Sequence, residues 1–571
     1  MRNLFSLLAA GLAAGLAACA MQVPPAPVPG GDPNVDADAA QAPNASVELQ
    51  YHVLAGEWAV QRGQRRAAAE NYVEALRYSD DPALAARATR IAVFANEPEL
   101  AFRAARAWAQ RSPDDANAYK TAARLALQQA DEDLLDRYVQ RLMAAESEQP
   151  EAALRTLVEV LSGEPAQADL ALSTMDEQVA EHDDLAAAHY ARALLALRYE
   201  RLEAAGESAT RALALRPGWG EAVMLHAGVL VRQGDIDAAR TRIDSLDGAS
   251  GERAEYRIAF ARMLVDSDEN AAAADAFDWA LELDPEDIDA RFGLGVLALT
   301  LEQWQRAEQA FEQLYEAGNR ADDAAYYRAS AAESQEDYAE ARRWYRRVAG
   351  GSHAFDAKLR AARMLYLEGD LAAARAELRT LRRDNPDLAE RLFLAEGELL
   401  YEARRFDDAV AMYDRALKRH PGDTDLLYGR SLALERLGRI DEAAEDLRLS
   451  LAEEPDDPRA LNALGYLLTN HTDRHQEALG YIERALEAEP DDAAIIDSMG
   501  WVQYRLGNLE KAREYLERAH DRFPDPEVAA HLGEVLWQLG KRDRARQVWQ
   551  EALSETPDHP VLNETIERLT P

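Results

Sequence analysis

The chain has 571 residues, 103 of them acidic and 64 basic, for a formal charge of −39. That balance excludes a nucleic-acid binder, whose phosphates it would repel, and adhesion to anionic lipid through a basic patch. Cys19 is the sole cysteine, so the folded part holds no internal disulfide.

Residues 1–19 read MRNLFSLLAAGLAAGLAAC. Arg2 precedes an apolar run over 4–18 that is too short to span a bilayer and is shaped like a secretory signal. Leu16-Ala17-Ala18-Cys19 resembles the lipobox of bacterial lipoproteins. The resemblance implies removal of residues 1–18, a diacylglyceryl thioether on Cys19 and an acyl group on the new amino terminus. Three chains anchor where one holds only marginally, at about 0.8 kcal/mol per buried methylene. Ala20 after the cysteine implies sorting to the outer membrane, with the body facing the periplasm and lipid as its only membrane contact. Residues 19–46, rich in Pro, Ala and Asp, read as a disordered linker with too few apolar groups to offset ordering.

Helical hairpins are expected from 47 onward. Residues 47–182 are a degenerate stretch. Ala68, Tyr72 and Ala75, then Ala101, Ala105 and Trp108, mark two alanine-rich hairpins closed by Pro82 and Pro113. Between about 113 and 184 the helical period persists without glycine or alanine markers, which predicts helix but no register. Over 183–557 the pattern is regular. An alanine recurs from Ala205 to Ala545 at steps of 33 to 35, and Pro217, Pro285, Pro386, Pro421, Pro455 and Pro490 close units in the same phase.

The unit is clearest over 491–553. Gly500, Gly507, Ala512, Ala519 and Pro524 return as Gly533, Gly540, Ala545, Ala552 and Pro557, each shifted by 33. Asp491 and Asp492 suit a helix start. Ile496, Met499, Gln503 and Leu506 follow at helical spacing up to Gly507-Asn508, which predicts a stop. A second helix from about Leu509 carries Ala512, Leu516 and Ala519 on one face. Gly500 and Ala512 are small where two antiparallel helices must approach. A small residue at 8, Gly at 15, Ala at 20, a large apolar residue at 24, Ala at 27 and Pro at 32 resembles the tetratricopeptide repeat (TPR). The expected fold is therefore an all-α superhelical solenoid of about fifteen antiparallel helix pairs, about eleven of them good repeats. Residues 558–571 are expected to cap it with one helix, Val561, Leu562 and Ile566 covering the last hairpin.

In TPR solenoids the first helices line a concave groove through repeat positions 2, 5, 9, 12 and 13. By that phase position 12 holds Tyr366, Tyr401, Tyr504 and Trp537, and position 9 holds Tyr466 and Trp501. Position 5 holds Tyr428, Asn462 and Asp497, and position 13 holds Arg436, Asn470 and Arg505. Such side chains make good protein anchors, and the same rings suit packing between neighbouring repeats. No lysine stands at these positions, so a lysine/asparagine carboxylate clamp is not expected. His471 and His475 are spaced as metal ligands on a helix would be, but they are expected in a turn and without an HExxH glutamate, so no metal site is predicted. No nucleophile, P-loop or paired-cysteine motif stands in a credible context. The chain reads as a non-enzymatic protein binder with no cofactor and no small-molecule substrate.

Lipobox and array, with the segments LGYLL, ALGYIERAL, IIDSMGWVQYRLG and PEVAAHLGEVLWQLG, resemble a family of proteobacterial outer-membrane TPR lipoproteins. Its members are adaptors for a periplasmic carboxyl-terminal processing protease. The likeness covers most of 47–553 in organisation and is sharpest from Leu461. It implies an adaptor that brings substrates, cell-wall hydrolases among them, to such a protease. A scaffold for outer-membrane protein, pilus or exopolysaccharide assembly is the alternative.

Overall fold

The computed structural model describes residues 45–246 and 248–570. Cys19 and the expected signal lie outside them. The described residues form thirty-one α-helices and two three-residue 3-10 turns, with no strand. The first helix, Ala45–Gln61, starts two residues before the expected boundary.

The repeat unit shows why this sequence pairs helices. The Asp492 carboxylate accepts from the Ile495 N–H at 2.9 Å and opens the helix Ala493–Arg505. Gly507, at φ +84°, closes it in the left-handed conformation. The Gly507 and Asn508 N–H groups there donate to Tyr504 and Gln503 carbonyls, and the chain turns back into Leu509–Arg522. A Cβ on Gly500 would sit 2.6 Å from Leu516 Cγ and 3.2 Å from the Ala512 carbonyl oxygen. The small residue at position 8 is thus the seat of the large residue at position 24. Leu516 is fully buried there, worth about 2 kcal/mol in apolar transfer. Gly533 repeats this beneath Trp549, and Gly465 beneath Ile482.

Glycine is not obligatory at the helix exit. Glu302, Glu336 and Arg404 hold positive φ at equivalent turns, at a cost of about 1–2 kcal/mol each that the packed helix pairs offset. For that reason the glycine marker drops out of several units while the alanine persists.

By internal packing the chain divides between Arg201 and Leu202. The first unit runs from Ala45–Gln61 to Ala186–Arg198. Its first two hairpins pack through alanine: Ala68, Ala69, Ala85, Ala88, Ala104 and Ala105 are buried, and Ala85, Ala88 and Ala104 share one core with Tyr72. Between 113 and 184 the helices are Ala116–Gln128, Glu132–Ala145, Pro150–Leu161 and Ala168–Glu181. Leu135, Leu142, Leu154, Leu157, Leu161 and Met175 are fully buried there. Leucine fills the space that the markers leave, so the period is audible in the sequence and the register is not.

The second unit runs from Leu202–Leu215 to Pro560–Leu569. In that last helix Leu562 is fully buried, and Ile566 and Leu569 pack on the core around Leu536 and Trp549. Val561 departs from the expected capping role. Residues 562, 566 and 569 fall on one helical face, and Val561, one residue off it, stays exposed.

Candidate partner-binding groove

The first helices of five consecutive hairpins, Ala389–Glu402, Thr424–Arg436, Pro458–His471, Ala493–Arg505 and Pro526–Gln538, border one cavity of about 830 Å³ together with the terminal helix. Tyr401, Tyr428, Asn462, Tyr466 and Trp501 line it. Asp497 and Tyr504 lie just behind, each holding a lining residue. Tyr366, Arg505 and Trp537 are elsewhere. Tyr366 packs beside Leu365 and Leu371 on a neighbouring core, and Trp537 stands 5.7 Å from the Trp549 ring with Arg542 and Arg546 over it. Arg505 lies near His475, where its charge adds to the effect of burial in lowering that imidazole's pKa.

The groove floor is a chain of polar contacts between repeats. Trp501 Nε1 donates to Asn470 Oδ1 at 2.7 Å, and its ring stacks on His531 at 4.1 Å between centroids and 18° between planes. His531 Nδ1 lies 2.9 and 3.1 Å from the two Asp497 carboxylate oxygens. Burial pulls the His531 pKa down, and the charges of Asp497, Glu527 and Glu534 reverse that, so the net shift is upward. The Tyr466 hydroxyl donates to Glu527. Tyr504 donates to Glu534 at 2.9 Å, and the Arg568 guanidinium grips the same carboxylate at 2.6 and 3.0 Å. Burial and then Glu534 push the Tyr504 hydroxyl up to about 12. Arg436 Nε donates to the Tyr401 hydroxyl at 2.7 Å.

Two expectations shift here. Trp501 both packs between repeats and borders the groove, so the two readings of the rings are one arrangement. The sequence reading also missed Glu527, His531, Glu534 and Arg568. Glu534 stands 33 residues after Trp501, at position 9, and Glu527 stands at position 2, so the same phase reaches both. His531 sits at position 6 and had no such signal.

Asn462 Oδ1 is buried without a hydrogen-bond partner while its side chain borders the cavity. Glu435, Glu527, Glu534 and Glu564 face Arg436 and Arg568 across the lining, leaving an acidic, aromatic surface. Nothing in it pairs a nucleophile with a base; it can hold a ligand through rings and carboxylates. His471 ends one helix, 3.1 Å from Glu435, and His475 begins the next, so the two are not on one helical face. No group of three or more His, Cys, Asp or Glu among the described residues could hold a metal, and no described helix is long and apolar enough to cross a membrane.

This geometry, a groove built from the first helices of repeated hairpins, defines a tetratricopeptide-repeat protein, a scaffold for protein–protein contacts. One tetratricopeptide-repeat model matches residues 258–321, 297–354, 394–458 and 498–560, and a second matches 456–525. Over 239 residues the chain is 48% identical to the TPR repeat-containing protein PA4667 of Pseudomonas aeruginosa, a match covering 42% of this chain and 40% of that relative. It is 26% identical over 307 residues to the Cellulose synthase 2 operon protein C of Komagataeibacter xylinus, covering 52% of this chain and 21% of that one. The matched segments therefore span less than half the length of either relative. Among solved structures, a thermophilic TPR protein of Thermus thermophilus is 27% identical at a TM-score of 0.30, covering 32% of this chain and 98% of its own. The class assignment rests on the helix pairs and the repeat models.

Proposed function

We propose that the chain is a lipid-anchored adaptor of the outer membrane, facing the periplasm, that binds a carboxyl-terminal processing protease and presents substrates to it. The observation that carries the binding role is the cavity with Tyr401, Tyr428, Tyr466 and Trp501 on its wall and Glu435, Glu527, Glu534 and Glu564 among them. An extended polypeptide supplies backbone N–H groups for the lining carboxylates and the side chains that aromatic faces take up. Anchoring through Cys19 would confine protease and substrate to one surface, raising their effective concentration without new chemistry. Cell-wall hydrolases are the substrates this reading favours, and their loss would restrain wall cleavage.

The pair Tyr466→Ala and Trp501→Ala tests it. Each should weaken capture of the protease or of its substrates by at least about tenfold, the usual cost of truncating an aromatic anchor, while helical content and melting cooperativity persist. Unchanged capture and unchanged substrate turnover with both variants folded would refute the groove role. The match to a cellulose synthase operon protein favours a second reading, a scaffold for polysaccharide export. Deletion of the gene would then abolish a surface polymer and leave hydrolase levels unaltered.

A further inference from the structure

Among the described residues, one face of the first helix, Ala45–Gln61, is left exposed, with only the Arg62 guanidinium lying over it, 3.8 Å from the centre of the Trp58 ring. Val47, Tyr51, Leu54 and Trp58 are 59%, 63%, 68% and 59% exposed, although all four are large and apolar. Their spacing is 4, 3 and 4, the two-position seam of a coiled coil, with Val47 and Leu54 at one seam position and Tyr51 and Trp58 at the other. The opposite face is fixed. Gly56 lies against the Tyr72 ring, where a Cβ would come within 2.7 Å of it, Ala59 is buried, and His52 bonds Asn71 at 3.2 Å. The seam is therefore presented on a rigid support, and a contiguous patch of this kind marks an interaction surface.

From this face we infer that the occupant is a second copy of the chain, joined by antiparallel pairing of the two first helices about a two-fold axis. The seam is complementary to itself in that direction. Val47 of one copy meets Trp58 of the other, and Tyr51 meets Leu54, so every layer sets a smaller side chain against a larger ring. A parallel pairing would stack Trp58 on Trp58 and Val47 on Val47. The flanks agree. Antiparallel register brings Glu48 towards Ala55 and Gln50 towards Glu57, opposing no like charges. A bilayer surface suits the seam less well, because Glu48 and Glu57 border it and the chain as a whole is strongly acidic. The four side chains expose on the order of 500 Å². Two copies would then bury about 1,000 Å², the lower bound for a specific interface and the mark of a weak dimer. The pairing is isologous and closes at two subunits. It is independent of the groove, so a failure of either proposal leaves the other standing.

The test uses the full chain carrying Cys19→Ser, purified in mild detergent. Sedimentation velocity should show a concentration-dependent monomer–dimer equilibrium, and Leu54→Glu should leave monomer throughout with an unchanged melting midpoint. In the same background, an equimolar mixture of Tyr51→Cys and Leu54→Cys chains should form disulfide-linked dimers faster than either variant alone. Monomer at the highest concentration reached would overturn the inference, as would a dimer indifferent to Leu54→Glu or preferential linkage of Tyr51→Cys to itself. Binding to vesicles that Leu54→Glu abolishes, without any dimer, would overturn it in favour of a lipid surface.

Discussion

Replacing Ala512 with arginine is expected to destabilise the C-terminal repeats by about 3 kcal/mol or more, the upper range for overpacking a closed core. Ala512 is fully buried, and its carbonyl oxygen lies where a Cβ on Gly500 would already come within 3.2 Å. A guanidinium on a long stem has no room between the two helices. The helices Ala493–Arg505 and Leu509–Arg522 must therefore separate, unseating Leu516. Because each repeat leans on its neighbours, the loss spreads along the array from that point. Hydrogen exchange should show lost protection centred on residues 493–522 and little change before residue 202. Lys511→Arg, on the exposed side of the same turn, should shift stability by less than about 0.5 kcal/mol. A melting curve unmoved by Ala512→Arg would refute the helix contact itself.

That contact was legible because it depends on residue size at a fixed interval. Gly500 and Gly533, Ala512 and Ala545 tolerate nothing larger, so the spacing of 33 survives in the residue types. Groove composition follows a weaker rule. A residue at position 9 must reach the concave side, but Trp501 and Glu534 both do so, and no single chemistry repeats. The phase therefore located the wall and could not tell which rings would stay on it. Tyr366 belongs to a unit beyond the cavity's edge, and Trp537, at the position that places Tyr401 in the groove, is drawn onto Trp549 by the last core. Those outcomes depend on where the array ends and which core a ring can join, and neither is periodic. The same limit hid the exposed seam. Val47, Tyr51, Leu54 and Trp58 have the spacing of any apolar helix face, and their exposure depends on which of the described residues pack beside them.

Removing the Asp497 carboxylate should be the most damaging change in the groove. Asp497 and His531 are both buried and face each other at 2.9 Å, so Asp497→Ala takes from the imidazole its bonded counter-charge and leaves only Glu527 and Glu534 nearby, at a cost of about 3 kcal/mol. The sign of the pH dependence follows from the raised His531 pKa. A histidine bound more tightly to its proton in the folded state contributes stability that is complete below its ordinary pKa of about 6.5 and is lost as pH rises through the raised value. Urea unfolding should therefore show wild type and Asp497→Ala furthest apart below the ordinary histidine pKa and converging as pH rises through the raised one. A gap that widened with rising pH would mean that the buried imidazole is neutral. Because His531 is the surface on which Trp501 stacks, the same variant should also loosen that ring. Partner capture should weaken in Asp497→Ala at about pH 6, where the wild-type ion pair is intact, and by less once pH has risen past the raised His531 pKa and wild type has lost the pair as well.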